Sequence, residues 1–188
     1  MITGIFSGSF NPIHIGHLAV ANWICEFCDI DELWFLVSPQ NPLKNKSDLI
    51  NEQKRLKMTE ASIAGYPKFK ASDFEFSLPR PSYTINTLQS LRKTYPEKIF
   101  KLIMGADSWS NISKWKDYEA LISEFPILIY PRKDSEIVIP NKYPNIKKLD
   151  APLIEISSSF IRQSIKEGKD IRFFLPEAIR EIKNHILP

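Results

Sequence analysis

Two histidines lie three residues apart in the stretch SGSFNPIHIGH, near the start of a chain that has only three. Gly8 and Ser9 leave room for a ligand to approach the backbone closely. Gly16 and His17 open a predicted helix, whose first N–H groups favour an anion. Both rings, those of His14 and His17, can donate hydrogen bonds to phosphate oxygens. The stretch therefore predicts a phosphate site just after the first predicted strand.

A second candidate anion site lies near the C-terminus, in the stretch ISSSFIR at residues 156–162. We predict Ser158 as the N-cap of a helix, which places Arg162 four residues later on the same helical face. A planar guanidinium makes paired, charge-assisted hydrogen bonds to phosphate. A hydroxyl, a guanidinium and the first N–H groups of the helix could thus surround one anion.

Segments with strand and helix patterns alternate along the chain, and they must position these residues. The predicted strands are ITGIF, ELWFLVS, KFKASDFEF, KIFKLIMGAD and PILIYP, with a short one before residue 150. The predicted helices are HLAVANWICEFC, NEQKRLKMTEASIAG, SYTINTLQSLRKTY and KDYEALISEF, followed by one from Ser158 to Gly168 and one from Pro176. This order predicts an α/β fold, a doubly wound and mostly parallel sheet with helices on both faces and a C-terminal helical segment. Residues 1–188 are expected to form a single domain, with ligands at the carboxyl ends of the strands.

Composition narrows the classes of partner. The 25 basic and 22 acidic residues give a net charge of +3, too balanced for a protein that grips long nucleic acid by counterion release. No apolar run approaches the roughly 18 residues that would span a bilayer. We therefore expect a cytoplasmic protein with no nucleic-acid or membrane partner. Cys25 and Cys28 fall in an amphipathic helical pattern, which favours packing over a redox pair or a zinc site.

The two end motifs resemble a known enzyme superfamily. GSFNPIHIGH resembles the (G/T)-x-F-x-P-x-H-x-G-H signature of adenylyl- and cytidylyltransferases, and ISSSFIR resembles their I-S-S-[ST]-x-[IL]-R pattern. The segments PRPSYTINTL and MGADSWSNISKWKDY, and NPLKN with Arg55 and Met58, resemble segments of bacterial nicotinate mononucleotide adenylyltransferases. The resemblance implies a Rossmann-like nucleotidyltransferase fold. It also implies transfer of the AMP moiety of ATP to nicotinate mononucleotide, giving deamido-NAD and pyrophosphate in NAD biosynthesis.

The resemblance also implies roles for individual residues. The implied catalytic residues are His14, His17, Lys44 and Arg162. The implied ATP-binding residues are Gly8, Ser9, Phe10, Gly16, Gly105, Asp107, Ile156, Ser157 and Ser158. The implied mononucleotide-binding residues are Thr84, Trp115 and Arg132, with Trp115 as a stacking face for the pyridine ring. Mg²⁺ is expected on the ATP phosphates and on no protein ligand, and a homo-oligomer is possible.

Several alternatives stay open at this point. The acceptor could be nicotinamide mononucleotide, or both pyridine mononucleotides, because carboxylate and amide can be distinguished by backbone groups that side chains do not reveal. Phosphopantetheine adenylylation and a non-catalytic nucleotide-binding module fit the sequence less well. Leu43 stands where the resembled segment has histidine, so phosphate binding by that segment differs in detail.

Overall fold

The computed structural model describes residues 1–39, 49–133 and 135–180. Within them, the strands are β1 (Ile2–Gly8), β2 (Glu32–Val37), β3 (Phe69–Ser72), β4 (Ile99–Gly105), β5 (Ile127–Tyr130) and β6 (Ile146–Lys148). The α-helices are α1 (Ile15–Phe27), α2 (Glu52–Ile63), α3 (Thr84–Thr94), α4 (Ala106–Trp109), α5 (Tyr118–Glu124) and α6 (Ser158–Lys166). Strands and helices alternate along most of the chain, as the sequence pattern predicts.

The strands form one sheet in the order β3-β2-β1-β4-β5-β6, and every neighbouring pair is parallel. β1 lies at the centre, where Ile5 faces Trp34 on β2 and Leu102 on β4. The strand order reverses between β1 and β4, and open α/β sheets bind ligands at that point, outside the carboxyl ends of the strands. The predicted doubly wound fold is confirmed, and the loop that carries the histidines lies at this reversal.

Each face of the sheet is covered by its own helices. Successive strand residues point to opposite faces, so Phe6 joins one buried cluster and Ile5 the other. The Phe6 cluster includes apolar residues of α1, α2, α6 and the segment after it, whereas the Ile5 cluster includes those of α3, α4 and α5. The C-terminal segment also enters the Phe6 cluster, through Ile171, Leu175 and Ile179. Helices on both faces are thus confirmed.

The structure differs from the sequence prediction at two strand ends. The predicted strand KFKASDFEF ends at Ser72, because a short 3₁₀ helix, Phe74–Ser77, follows and turns the chain. The predicted strand KIFKLIMGAD ends at Gly105, and α4 begins at the next residue. Most of the second C-terminal helix predicted from Pro176 lies outside the described residues.

The two cysteines pack as the sequence predicts. Cys25 is buried in the Phe6 cluster, Cys28 packs against that cluster, and the two form no disulfide. Burial raises the pKa of the Cys25 thiol to about 11, so this sulfur is protonated at neutral pH. In the part of the chain that is described, no helix has the length and apolar character needed to cross a membrane.

Candidate active site

Two cavities adjoin at the carboxyl end of the sheet, and Ser9 lines both of them. We call the first the apolar cavity; it has a volume of about 240 Å³ and lies where β1 and β4 end. We call the second the polar cavity; it has a volume of about 400 Å³ and lies between the loop after β1 and the start of α6. A ligand with a flat ring and an anionic part could occupy both at once.

The two histidines stack on each other at the edge of the polar cavity. Their ring centroids are 3.7 Å apart with an interplanar angle of 21°. His14 is the N-cap of α1, and its backbone N–H donates to Nδ1 of His17 at 3.3 Å. Because Nδ1 accepts this bond, a neutral His17 carries its proton on Nε2 and is a hydrogen-bond donor there.

His14 is neutral at physiological pH. Its side chain is only 1% exposed, and burial, followed by the positive charge of Arg132, lowers its pKa to about 3. Its Nδ1 has no hydrogen-bond partner among the described residues. A neutral imidazole can donate or accept one hydrogen bond to a ligand, but it supplies no positive charge.

Gly16 and Phe10 lie behind the histidines and line neither cavity. A Cβ atom at Gly16 would lie 3.1 Å from Nδ1 of His14, so a side chain there would press on the ring. Phe10 is buried, and its ring packs edge-on against His17 at 5.1 Å between centroids. The ATP contacts predicted for Gly16 and Phe10 stay predictions. In the structure, both residues contact the imidazole rings on the side away from the cavities.

The start of α6 is tied to the loop after β1 by side-chain hydrogen bonds. Ser158 Oγ donates to the Pro12 carbonyl at 3.0 Å, and Arg162 Nη1 donates to the Asn11 carbonyl at 2.8 Å. The predicted N-cap was wrong by one residue, because it is Ser157 whose hydroxyl accepts the Phe160 N–H at 3.1 Å. The polar cavity is thereby lined from both ends of the chain, with Ile156, Ser157, Ser158 and Arg162 on the side opposite the histidines.

Arg132 and Asp107 also line the polar cavity. Arg132 donates to the Tyr130 hydroxyl and to the Ile154 carbonyl, both at 3.2 Å. The structure places Arg132 in the polar cavity with the histidines. The mononucleotide-binding role implied for this residue stays a prediction. Gly105 lines the apolar cavity. A Cβ atom at Gly105 would clash with the Asp107 carboxylate, so these two residues lie close together. The segment after β4 therefore contributes to both cavities.

The apolar cavity brings together Thr84 and Trp115, as the sequence predicts. Gly8 and Ser9 lie on its β1 side, and the buried strand residues Ile103 and Met104 are also in its wall. Trp115 follows a short 3₁₀ helix, Ile112–Lys114, and the flanking Lys114 and Lys116 line the same cavity. Lys116 Nζ lies 4.7 Å from the centroid of the Tyr83 ring, and Lys114 Nζ donates to Asn111 Oδ1 at 2.7 Å. An aromatic face with two lysines in the same wall suits a planar ring that carries an anionic substituent.

Comparison with known proteins identifies the family. The cytidylyltransferase-like family model matches residues 5–164. A Bacteroides fragilis protein named probable nicotinate-nucleotide adenylyltransferase is 53% identical over 177 residues, which cover 94% of this chain and 88% of that protein. One of the same name from Azobacteroides pseudotrichonymphae is 50% identical over 188 residues, covering 99% of this chain and 98% of that protein. The chain belongs to the nicotinate-nucleotide adenylyltransferases of the cytidylyltransferase-like family.

A solved structure supports the fold of this adenylyltransferase family member. Plasmodium falciparum nicotinic acid mononucleotide adenylyltransferase, complexed with NaAD, superposes on it with a TM-score of 0.82 at 22% sequence identity. The superposition covers 100% of this chain and 98% of that one. Similarity at this level of identity establishes a shared architecture over the full length of the adenylyltransferase chain.

Two buried ionisable residues, Glu75 and Arg55, received no functional role from the sequence, although Arg55 belongs to one of the resembled segments. The predicted catalytic residue Lys44 lies outside the described residues. Glu75 lines the apolar cavity within the segment predicted as a strand. Arg55 lies on α2 and donates hydrogen bonds to the carbonyls of Ser9, Ser38, Pro39 and Ile50. Its position among Leu56, Met58 and Ile63 in the helical pattern was the available signal, since a charge on an apolar face needs buried partners.

Proposed function

We propose that this chain transfers the AMP moiety of ATP to nicotinate mononucleotide, giving deamido-NAD and pyrophosphate. The observation that carries the proposal is the pair of adjoining cavities. Stacked histidines and Arg162 line the polar cavity, Thr84 and Trp115 line the apolar cavity, and the two cavities share Ser9. The relatives of 50% and 53% identity that bear this activity in their names support the same conclusion.

The proposed step is an in-line displacement at the α-phosphorus of ATP. A phosphate oxygen of the mononucleotide forms the new P–O bond, and the bond from the α-phosphorus to the bridging oxygen breaks with that electron pair, releasing pyrophosphate. The attacking phosphate is already ionised at neutral pH, so the step needs no strong general base. Rate enhancement then comes from positioning the two substrates and from stabilising charge on the transferred group and leaving group.

Four residues of the polar cavity would position the phosphates and stabilise their charge. Arg162 and Arg132 supply permanent positive charge to phosphate oxygens, since guanidinium groups stay protonated. His17 donates from Nε2, and its orientation is set by the bond from the His14 backbone. His14 contributes a hydrogen bond without charge, because burial holds its pKa at about 3. These four residues would bind the triphosphate and steady it for attack.

ATP would bind as its Mg²⁺ complex, and phosphate oxygens and water molecules would hold the ion. Among the described residues, no three His, Cys, Asp or Glu side chains lie together as a metal site. Asp107 is the carboxylate that lines the polar cavity. Bound in this way, the ion would screen the charge of the ATP phosphates.

Pyrophosphate release tests the proposal, measured with ATP and Mg²⁺ and with either nicotinate or nicotinamide mononucleotide. We expect kcat/KM to favour the nicotinate substrate by about tenfold or more, because Lys114 and Lys116 in the cavity wall favour a ring with a carboxylate over one with a neutral amide. The variant His17→Ala should lose about a hundredfold in kcat, the usual cost of removing one charge-stabilising donor.

Circular dichroism of His17→Ala is the folding control for that assay. Equal rates with both mononucleotides would indicate dual specificity. Absence of pyrophosphate release with either one would overturn the pyridine assignment. A homo-oligomeric state remains a separate prediction, which sedimentation of the purified chain tests.

A further inference from the structure

Glu75 is a buried carboxyl group in the wall of the apolar cavity that the proposed reaction does not use. It lies in the 3₁₀ helix Phe74–Ser77, and only 3% of the residue is exposed. Its Oε2 accepts a hydrogen bond from Ser82 Oγ at 2.9 Å, and its Oε1 accepts one from Thr87 Oγ1 at 3.1 Å. Burial raises the pKa of the carboxyl, while hydrogen bonds with the hydroxyls of Ser82, Ser38 and Thr87 act in the opposite direction.

The two hydroxyl groups flank the segment that faces the cavity. Ser82 precedes Tyr83 and Thr84, which both line the apolar cavity, and Thr87 lies one turn into α3. Tyr83 is the N-cap of α3, but its side chain makes no capping hydrogen bond. A helix end without a side-chain cap leaves its first turn weakly fixed. The hydrogen bonds that Ser82 and Thr87 donate to Glu75 span this end and fix it to a residue outside the helix.

We propose that Glu75 is a positioning residue for the acceptor substrate. Its carboxyl group holds the first turn of α3 against the apolar cavity, and so sets the places of Tyr83 and Thr84. This inference rests on the proposed function for the identity of the acceptor, while the positioning itself rests on the contacts of Glu75. The residue acts through Ser82 and Thr87, on the wall of the cavity that receives the pyridine ring.

The hydrogen-bond chemistry explains why a carboxylate suits this position. Both partners donate, and an ionised carboxylate is a pure acceptor with two oxygens. In Glu75→Gln, one of the two oxygens becomes an NH₂ group, which cannot accept from a hydroxyl. Either Ser82 or Thr87 must then reorient, although the size of the side chain hardly changes.

Steady-state kinetics on the full-length chain tests the proposal, with Glu75→Gln, Thr87→Val and the matched control Thr59→Val. Thr59 and Thr87 are both buried, and each lies within hydrogen-bond distance of the carbonyl four residues earlier. Thr59 lies on α2 and lines neither cavity.

We expect Glu75→Gln and Thr87→Val to raise the KM for nicotinate mononucleotide about fivefold or more, which corresponds to about 1 kcal/mol. In both variants the KM for ATP should stay within about twofold, because the polar cavity is untouched. The control Thr59→Val should change neither KM. An unchanged mononucleotide KM in folded variants, or an equal rise in both KM values, would overturn the inference.

Amide hydrogen exchange supplies a readout that does not need turnover. The N–H of Thr87, which bonds to the Tyr83 carbonyl at 3.0 Å, should exchange about fivefold faster or more in Glu75→Gln and not in Thr59→Val. If the unmodified chain forms no product from nicotinate mononucleotide, the proposed function fails, and the exchange rates alone decide whether Glu75 fixes α3. Unchanged exchange at Thr87 would overturn the positioning role in either case.

Discussion

His14 takes its charge state from its surroundings. A histidine in water is half-protonated near pH 6.5, but this ring is buried, stacked on His17 and close to Arg132. Removing the ring from water disfavours the charged form, and a nearby guanidinium disfavours it further. The ring would therefore bind a ligand as a neutral group, and the positive charges of the polar cavity come from its arginines.

The depressed pKa of His14 makes folding sensitive to acid. Between pH 6.5 and about 3, the unfolded chain binds a proton at this ring and the folded chain does not, so the free energy of unfolding falls as the pH drops. By pH 5 this group alone should cost about 2 kcal/mol. Urea unfolding at pH 7 and pH 5 should therefore show a smaller loss in His14→Gln than in the unmodified chain. An identical loss in both would contradict the burial assigned to His14.

Gly16 lacks room for a side chain, because the His14 ring fills the space beside it. A Cβ atom there would lie 3.1 Å from Nδ1 and 3.2 Å from Cε1 of His14. Gly16→Ala should therefore shift the stacked histidines and lower kcat about tenfold, with little loss of stability because alanine favours helix.

Gly65→Ala is the matched control for that variant, since nothing lies within 4 Å of the added Cβ atom. Initial rates of pyrophosphate release on both variants decide the matter. A wild-type kcat for Gly16→Ala would show that the ring has room to move.

The sequence singles out candidate site residues that lie in short motifs, but it gives no signal for residues whose places depend on tertiary contacts. His14, His17 and Arg162 lie in two short stretches whose residue types and spacing indicate anion binding, and the structure brings all three to the polar cavity. Glu75 has no such local signal, because its partners lie 7 and 12 residues away in the chain. The place of Arg132 beside the histidines likewise depends on where β5 ends, which spacing alone does not reveal.

Among the elements, α2 braces the loops at the carboxyl end of the sheet through Arg55. The residue is 1% exposed, and its guanidinium donates to the backbone carbonyls of Ser9, Ser38, Pro39 and Ile50. Burial lowers its pKa to about 10, which still leaves the group charged at neutral pH. Because Ser9 and Ser38 are among its acceptors, this one side chain joins the ends of β1 and β2.

Replacing Arg55 should destabilise the fold far more than replacing its neighbour. Arg55→Met leaves several buried carbonyls without a donor, which should cost about 3 kcal/mol of unfolding free energy. Lys54→Met removes an exposed charge from the adjacent position of α2 and should cost less than about 0.5 kcal/mol. Urea denaturation of both variants measures the difference. Equal denaturation midpoints would contradict the stabilising role of the Arg55 hydrogen bonds.

The pattern of apolar residues along the sequence predicts a helix or strand well where its period is clear. It fails where hydrogen bonds between nearby residues turn the chain. The helices α1, α2, α3 and α6 lie within a few residues of their predicted ranges. The alternating letters FEF looked like strand, but the Phe74 N–H bonds to Ser72 Oγ at 3.3 Å and the Phe76 N–H to the Asp73 carbonyl at 2.7 Å. These bonds compete with the sheet and start the 3₁₀ helix.

In the whole molecule, the two ends of the sheet carry different features. The amino end carries ionic and polar ties, among them Lys98 and Thr3, which donate to Glu32 at 2.6 and 2.8 Å. The carboxyl end carries both cavities. The sequence predicted a parallel doubly wound sheet, whereas the strand order follows from pairing between distant segments that local pattern does not encode.

The shared residue Ser9 separates two cavities that are built from different parts of the chain. The anion-binding groups come mainly from the loop after β1 and from residues 156–162, whereas the apolar cavity is lined by the ends of β1 and β4 together with residues 75–84 and 114–116. Mutations in one set of segments leave the other set largely untouched. Evolution could therefore change the acceptor through residues 83–84 and 114–116 while the phosphate-binding residues stay in place, with the Arg132–Tyr130 hydrogen bond still linking the two cavity walls.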